Sequence, residues 1–161
     1  MSVQELDAKL QGGQRTNRFR ALLVLPSGVS GNTDELKVLC QSTTVPGKTR
    51  GAISIQRLGK TARIAGDEVS DETFTFMVQV PKNAKNIYNT FNEWFKLGND
   101  SEGYKSTATF DFLGLDNSVT MSWKATGVWV STLPPVNFDA TSQDEVTSFE
   151  VTLTLDWIDP A

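Results

Sequence analysis

The chain has 161 residues, of which 39% are hydrophobic and 21% charged, and this composition is typical of one soluble globular domain. Its net charge of −4 disfavours a free-standing nucleic-acid binder, and the lack of histidine excludes the commonest general base and the usual catalytic triad. The single cysteine excludes an internal disulfide, and the lack of a leader or a long apolar run predicts a cytoplasmic protein without membrane contact.

The first predicted elements are an arm and two strands. Residues 1–16 form an N-terminal arm that is either a helical turn ending before Gly12 or a flexible segment ordered by a partner. A strand follows, whose alternating apolar residues are Phe19, Ala21, Leu23 and Leu25. Leu36, Val38 and Cys40 also alternate, which predicts a second strand with Cys40 as a small core residue.

Residues 43–72 are predicted to form a long loop or hairpin. Within it, residues 47–66 contain four glycines and five basic residues around the short run Ile53–Ile55. Segments this long in compact domains usually carry a function. Two GKT tripeptides lack the glycine that a phosphate-binding loop has five positions earlier, so no nucleotide site is predicted.

Strict alternation returns in a strand over residues 72–80. Its apolar side holds Phe74, Phe76, Val78 and Val80, and its polar side holds Thr73, Thr75, Met77 and Gln79. The only clear helix is predicted over residues 84–97, where it should lie across a sheet with an apolar stripe of Ile87, Phe91, Trp94 and Phe95. Strands over 107–113 and 118–126 form a hairpin, and a short strand surrounds Trp129.

The last strand alternates without interruption as far as Trp157. Its apolar side holds Phe149, Val151, Leu153, Leu155 and Trp157, and its polar side holds Ser148, Glu150, Thr152, Thr154 and Asp156. A single β-bulge would exchange the two sides beyond it. About seven strands and one helix predict a mainly β fold over residues 1–161, an antiparallel β-sandwich or barrel with one packed α-helix.

Charge is divided between the two halves of the chain. Residues 1–66 hold ten basic against four acidic residues, and residues 67–161 hold five against fifteen. The halves could attract each other within one molecule or between copies, and both alternatives stay open. The basic residues of 43–72 are predicted to dock on acids of another copy rather than on phosphates, because no aromatic residues are interleaved with them.

No catalytic, metal or cofactor site is predicted. Asp67, Glu68, Asp71 and Glu72 match no calcium-loop spacing and are interpreted as a solvated turn between strands. An enzyme would have to build its nucleophile and base from Ser, Lys and carboxylates alone, which makes it the weakest alternative.

Several short motifs occur in an order and spacing that resemble a known family. They are Asn17–Arg18–Phe19, Cys40 followed by Val45–Pro46–Gly47, Ile64–Ala65–Gly66–Asp67, the strand Thr73–Val80, a helix with Phe91 and Trp94, Gly127–Val128–Trp129, Asp139–Ala140–Thr141–Ser142, Glu145, Phe149–Glu150–Val151–Thr152–Leu153 and Leu155–Asp156. Together they resemble the tail tube proteins of contractile-tailed bacteriophages, and the ending is also similar to the inner-tube proteins of contractile injection systems. The resemblance runs from Asn17 to Trp157.

The resemblance implies a structural subunit that forms six-membered rings, which stack into a hollow conduit for DNA inside a contractile sheath. The implied partners are other copies of the chain, the sheath protein, and the baseplate and tail-terminator proteins. The implied lumen holds the tape measure protein and DNA without binding them specifically. The expected location is the virion tail, assembled in the bacterial host cytoplasm.

Four sets of residues follow from this interpretation. The predicted lumen-lining residues are Thr73, Thr75, Gln79, Ser148, Glu150, Thr152 and Thr154. The predicted ring-stacking residues are Lys48, Arg50, Ile53, Ile55, Arg57, Lys60 and Arg63. Their predicted acidic acceptors are Asp67, Glu68, Asp71, Glu72, Asp139, Asp144 and Glu145. The predicted core residues are Phe74, Phe76, Phe91, Trp94, Phe149, Leu153 and Trp157.

Alternative functions stay open at this point. Within the same fold, the chain could be a baseplate tube initiator or the inner tube of an injection system that delivers protein. In a different class, a nucleic-acid-binding β-barrel protein would use the basic residues of 43–72 directly.

Overall fold

The computed structural model describes residues 2–80, 85–99, 103–135, 140–141 and 148–161, apart from the side chains of Glu35, Lys85 and Asn86. Within these residues the helices are α1 (Val3–Leu10), α2 (Thr33–Leu39) and α3 (Lys85–Leu97). The strands are β1 (Phe19–Leu23), β2 (Cys40–Thr43), β3 (Lys48–Arg57), β4 (Lys60–Ser70), β5 (Thr73–Gln79), β6 (Ser106–Leu113), β7 (Val119–Thr132), β8 (Ser148–Thr154) and β9 (Trp157–Pro160). None of these helices is long and apolar enough to cross a membrane.

Seven of these strands form one antiparallel sheet with the order β1-β6-β7-β8-β5-β2, in which β9 also pairs with β7. The long strand β7 belongs to two layers, because residues 119–128 pair with β6 while residues 129–132 pair with β8. The two layers close around a common core as a sandwich with open edges at β1 and β2. The predicted mainly β fold is therefore confirmed, in its sandwich form rather than as a closed barrel.

The core lies between the two layers and beneath α3. Ile87, Phe91 and Trp94 of α3 are buried, and the Phe91 ring meets the Phe149 ring edge to face at 5.9 Å. The Trp94 indole Nε1 donates to the Tyr104 carbonyl at 2.7 Å, so its polar atom is satisfied inside the core. Phe95, predicted as part of the same apolar stripe, is 42% exposed and lies on the outer side of the helix.

The predicted strand through Leu36 and Val38 is wrong, because these residues belong to helix α2. The Asn32 side chain caps this helix by accepting from the Asp34 N–H at 2.9 Å. Leu36 is buried whereas Val38 is 78% exposed, which is the burial expected from a helical rather than a two-residue period. A short alternating run does not distinguish the two periods, and the capping asparagine supplies the missing signal.

The predicted uninterrupted last strand is also wrong. Strand β8 ends at Thr154, and the chain turns at Asp156, whose N–H donates to the Thr126 carbonyl at 3.0 Å. The turn allows β9 to pair with the first half of β7 and places Ile158 in the core at 2% exposure. Trp157, predicted as a core residue, is half-buried outside the core.

Cys40 begins strand β2 and packs against the core from a half-buried position. Burial raises the pKa of the Cys40 thiol to about 12, against a weaker opposing effect of a hydrogen bond with the Ser42 backbone. Because the thiolate is the reactive form, we expect Cys40 to react with maleimide at pH 7.5 on the order of a thousandfold more slowly than free cysteine. If Cys40 of the folded protein reacted within seconds, as it should in the urea-unfolded protein, the thiol would not be buried in this way.

Candidate assembly surfaces

The predicted lumen-lining residues share one face of the β5–β8 layer. The register pairs Thr73 with Thr154, Thr75 with Thr152, Met77 with Glu150, and Gln79 with Ser148. The residues between them, among them Phe74 and Val151, are buried on the opposite face. Glu150 is the only charged side chain that β5 and β8 place on this surface, called here the polar face.

The layer that carries the polar face has two open edges among the described residues. Strand β2 pairs with β5 on one side only, and residues 129–132 of β7 pair only with β8. Their outward backbone N–H and C=O groups can accept a strand from another molecule.

Strands β3 and β4 form a hairpin over residues 48–70, called here the arm. Leu58 and Gly59 have φ of 52° and 73°, as the two central residues of a type I′ turn require. Every residue of β3 is exposed, and the strand pairs only with β4. The arm is therefore held as a two-stranded projection from the sandwich.

One side of the arm is apolar. The register pairs Ile53 with Ile64 and Ile55 with Ala62, so these four side chains share a surface, called here the apolar arm face. Ile53, Ile55 and Ile64 are 56%, 47% and 51% exposed. Three exposed isoleucines side by side leave an apolar surface open on the arm. Ile64 was not among the predicted contact residues, because its partner strand was not recognised.

The root of the arm is fixed by a charged cluster. The Lys48 ammonium lies 2.8 Å from Asp159 and 2.9 Å from Glu68, and 4.5 Å above the centre of the Trp157 ring. Hydrogen bonds to Asp159 and then Glu68 raise the pKa of Lys48, and the same bond from Lys48 lowers the pKa of Asp159. The Gly47 N–H donates to an Asp71 carboxylate oxygen at 2.8 Å.

The structure pairs some predicted stacking cations and acceptors within one chain. Besides Lys48, Arg50 contacts Glu68 at 3.2 Å, so attraction between the oppositely charged halves acts intramolecularly at the arm root. Three predicted stacking cations make no ion pair with a described residue: Arg57, Lys60 and Arg63. Asp139, Asp144 and Glu145 lie outside the described residues.

The arm root should hold over a defined pH range. The lowered pKa of Asp159 adds stability that is lost as pH falls through its folded value, and the raised pKa of Lys48 adds stability that is lost as pH rises through its folded value. We expect the amides of residues 47–51 to keep constant protection factors against hydrogen exchange between about pH 5 and pH 9. Lys48→Met should speed this exchange about two- to fivefold at neutral pH.

The matched control for this prediction is Arg63→Met, which removes one unpaired cation from the same arm. Its exchange rates at residues 47–51 should equal those of the unsubstituted protein. Equal effects of the two substitutions would show that arm charge, rather than the Lys48 contacts, sets the rate.

An ion pair on the β1–β6–β7 layer was not predicted from the sequence. Arg20 contacts Asp111 at 2.6 Å, and the Ser122 hydroxyl donates to the other Asp111 oxygen at 2.5 Å. The Asp111 side chain is 6% exposed and that of Arg20 is 41% exposed, so a buried carboxylate ties edge strand β1 to the sheet through a partly solvated guanidinium. Arg20 and Asp111 are 91 positions apart, and only the strand register brings them together.

Comparison with known proteins bears on these surfaces. No family model matches the chain. The tail tube protein of Serratia phage KSP90 is 25% identical over 149 residues, which cover 86% of this chain and 83% of that protein. The chain is thus similar in sequence to a phage tail tube protein over most of its length. The resemblance found in its motifs is thereby confirmed.

Solved structures of contractile injection systems share the fold of this chain. A chain of the PVC sheath-tube complex, from an extracellular contractile injection system in its extended state, has a TM-score of 0.71 at 17% identity, covering 100% of this chain and 98% of that one. A chain from the tube-terminating cap of the anti-feeding prophage has a TM-score of 0.72 at 19% identity, covering 100% and 99%. At these identities the likeness is one of fold.

Proposed function

We infer that the chain is a structural subunit of the inner tube of a contractile tail. The observation that carries this inference is the sequence likeness to a phage tail tube protein across 86% of the chain. The shared fold of the PVC and anti-feeding prophage chains supports it. The role is mechanical, and the chain acts as a component of a virion tail without catalysing a reaction.

We propose that the ring closes through the open edges of the polar layer. Strand β2 of one copy meets residues 129–132 of the next, so that each copy supplies the hydrogen-bond partners the other lacks. Closure in this manner turns the polar face of every copy to the same side. The resemblance to tail tube proteins gives six copies to a ring.

The polar face becomes the wall of the lumen in this arrangement. Double-stranded DNA carries about one negative charge per 1.7 Å of axis, so a wall of lysine and arginine would hold it tightly. The hydroxyls and amides of Thr75, Thr152 and Gln79 carry no charge and form no ion pairs with phosphate, and Glu150 repels phosphate. A tape measure protein and then DNA can pass without being bound specifically.

Helix α3 lies on the other side of the sheet from the polar face, because it packs against the buried side of β8 through Phe149. Its outer surface, with Phe95 exposed, would therefore face the sheath protein. Terminator and baseplate proteins would cover the two ends of the tube, and assembly would take place in the host cytoplasm.

Negative-stain microscopy of the purified protein tests the function. We expect long hollow tubes at raised protein concentration, because the open edges and the arm remain uncovered in a single copy. Single rings that never lengthen would indicate a tube initiator instead. Monomers at every concentration would contradict the inference.

A gel shift distinguishes the nucleic-acid-binding alternative. Lys48 and Arg50 are engaged by acids of the same chain, and the remaining arm cations, Arg57, Lys60 and Arg63, have no aromatic residues interleaved with them for stacking on bases. We expect no shift of a single-stranded 30-mer at physiological salt and micromolar protein. A salt-sensitive shift at that concentration would favour nucleic-acid binding.

A further inference from the structure

A cleft of about 620 Å³ opens between the two edge strands of the sandwich, β1 and β2. Its lining is mainly apolar and includes Phe19, Val45, Phe110, Phe112 and Trp123. The charged residues that line it are Arg20 and Asp111, which neutralise each other at 2.6 Å. This cleft, called here the edge cleft, is a neutral hollow bordered on one side by β1, whose outer edge has free backbone groups.

We propose that the edge cleft receives the apolar arm face of a second copy, in a proposal that rests on the tube function inferred above. Ile53, Ile55 and Ile64 present an uncharged apolar surface on a strand pair whose outer edges are also free. A strand pair laid in this cleft along β1 buries these side chains and gives hydrogen-bond partners to the free edge of β1, while the edge of β2 stays in the ring contact proposed above.

Charge complementarity favours the same occupant. Arg57 and Lys60 lie on the same side of the arm as the apolar arm face, nearer the tip of the arm. Neither has an acidic partner among the described residues. The cleft wall at Val45 continues through Pro46 into the arm root, where Asp71 and Glu72 stand. An arm lying in the cleft can therefore direct its basic tip to acids at the root of the neighbouring arm.

The position of the cleft makes the contact propagate. Arm and cleft are different surfaces of one chain, so their contact joins copies head to tail and leaves a free arm at one end and a free cleft at the other. A self-complementary contact would stop at pairs. Head-to-tail contact explains how one surface pair can continue from ring to ring along a tube.

Cysteine cross-linking tests which surface receives the arm. Two proteins, both carrying Cys40→Ser, receive Ile55→Cys on the arm and Thr44→Cys at the exposed rim of the cleft. After mixing, assembly and oxidation, we expect a disulfide-linked heterodimer, at least tenfold more abundant than with Ser54→Cys on the opposite arm side. Assembled tubes that lack this link, or that link instead through Met121→Cys on the exposed β7 surface, would overturn the proposal.

A complementation experiment gives a second readout. Ile55→Asp leaves a sound cleft with a defective arm, and Thr44→Arg leaves a sound arm with a blocked cleft. Neither variant should form tubes alone, and both should keep the melting temperature of the parent because both positions are exposed. Their equimolar mixture should form paired rings that do not lengthen. A mixture that stays unpaired, or tubes from Thr44→Arg alone, would refute the edge cleft as the receiving surface, whereas a parent chain that never assembles would refute the tube function itself.

Discussion

Replacing Gly127 with alanine should destabilise the protein by about 2–5 kcal/mol and lower its melting temperature by on the order of 10 °C. Gly127 has φ of +68°, which alone makes any other residue unfavourable by about 1–2 kcal/mol. A Cβ at this position would also collide with the Asp156 carboxylate, which Lys105 holds at 2.8 Å. Thermal unfolding followed by circular dichroism measures the loss.

The matched control is Gly103→Ala, because Gly103 has a φ of +78° and, beyond its chain neighbours, no atom of a described residue lies within 4 Å of the position its Cβ would occupy. This substitution should show the backbone effect alone, about 1–2 kcal/mol. If the two variants unfold at the same temperature, the Asp156 contact contributes nothing and the argument from close approach fails.

Gly127 matters because it stands where the fold divides into layers. Strand β7 passes from pairing with β6 to pairing with β8 at this residue, and the register with β6 skips it. The Asp156 N–H bonds to Thr126 just before it, so the turn of the last strand meets the bend of β7. The sequence predicted two separate strands here, since a glycine inside a strand looks the same as a break.

The period-two pattern of β5 and β8 could be predicted from the sequence because these strands have one buried and one exposed face. Phe74, Val151 and Leu153 alternate with polar residues, and the structure buries each of them. Trp157 continued the same pattern and was misplaced. The side on which Trp157 lies follows from the turn at Asp156, which is set by bonds to Thr126 of β7 and to Lys105 just before β6.

The assembly surfaces were predicted only in part for a related reason. The basic and apolar residues of the arm were visible in composition, but their faces depend on the register of β3 with β4. The predicted partners Lys48 and Glu68 prove to contact each other in one chain. The edge cleft could not be predicted at all, because it lies between strands β1 and β2, which are brought together by the whole path of the sheet.

Introducing a lysine into the polar face should convert a passive wall into one that holds DNA. Thr152 lies in the middle of this face, opposite Thr75, and its neighbours leave it half-buried. We expect Thr152→Lys rings to assemble, since a lysine stem can extend into the lumen from this position. With the six copies to a ring proposed above, six added cations would then surround the path of the duplex.

Binding of a short DNA duplex to assembled tubes, followed by fluorescence anisotropy, measures the effect. Tubes of the parent protein should show no binding at 50 mM salt. Thr152→Lys tubes should bind, and if six to ten phosphates are neutralised their affinity should fall about 10³- to 10⁵-fold between 50 and 200 mM salt. Glu150→Lys should act in the same direction, and virions built from either variant should eject DNA more slowly.

The controls keep the shape of the face and omit the cation. Thr152→Ser and Glu150→Gln should leave DNA binding to the tubes undetectable, because neither adds a positive charge that could release counterions. Arg63→Lys changes a basic side chain on the arm and should also be silent. If Thr152→Lys tubes fail to bind the duplex at low salt, the polar face does not line the lumen.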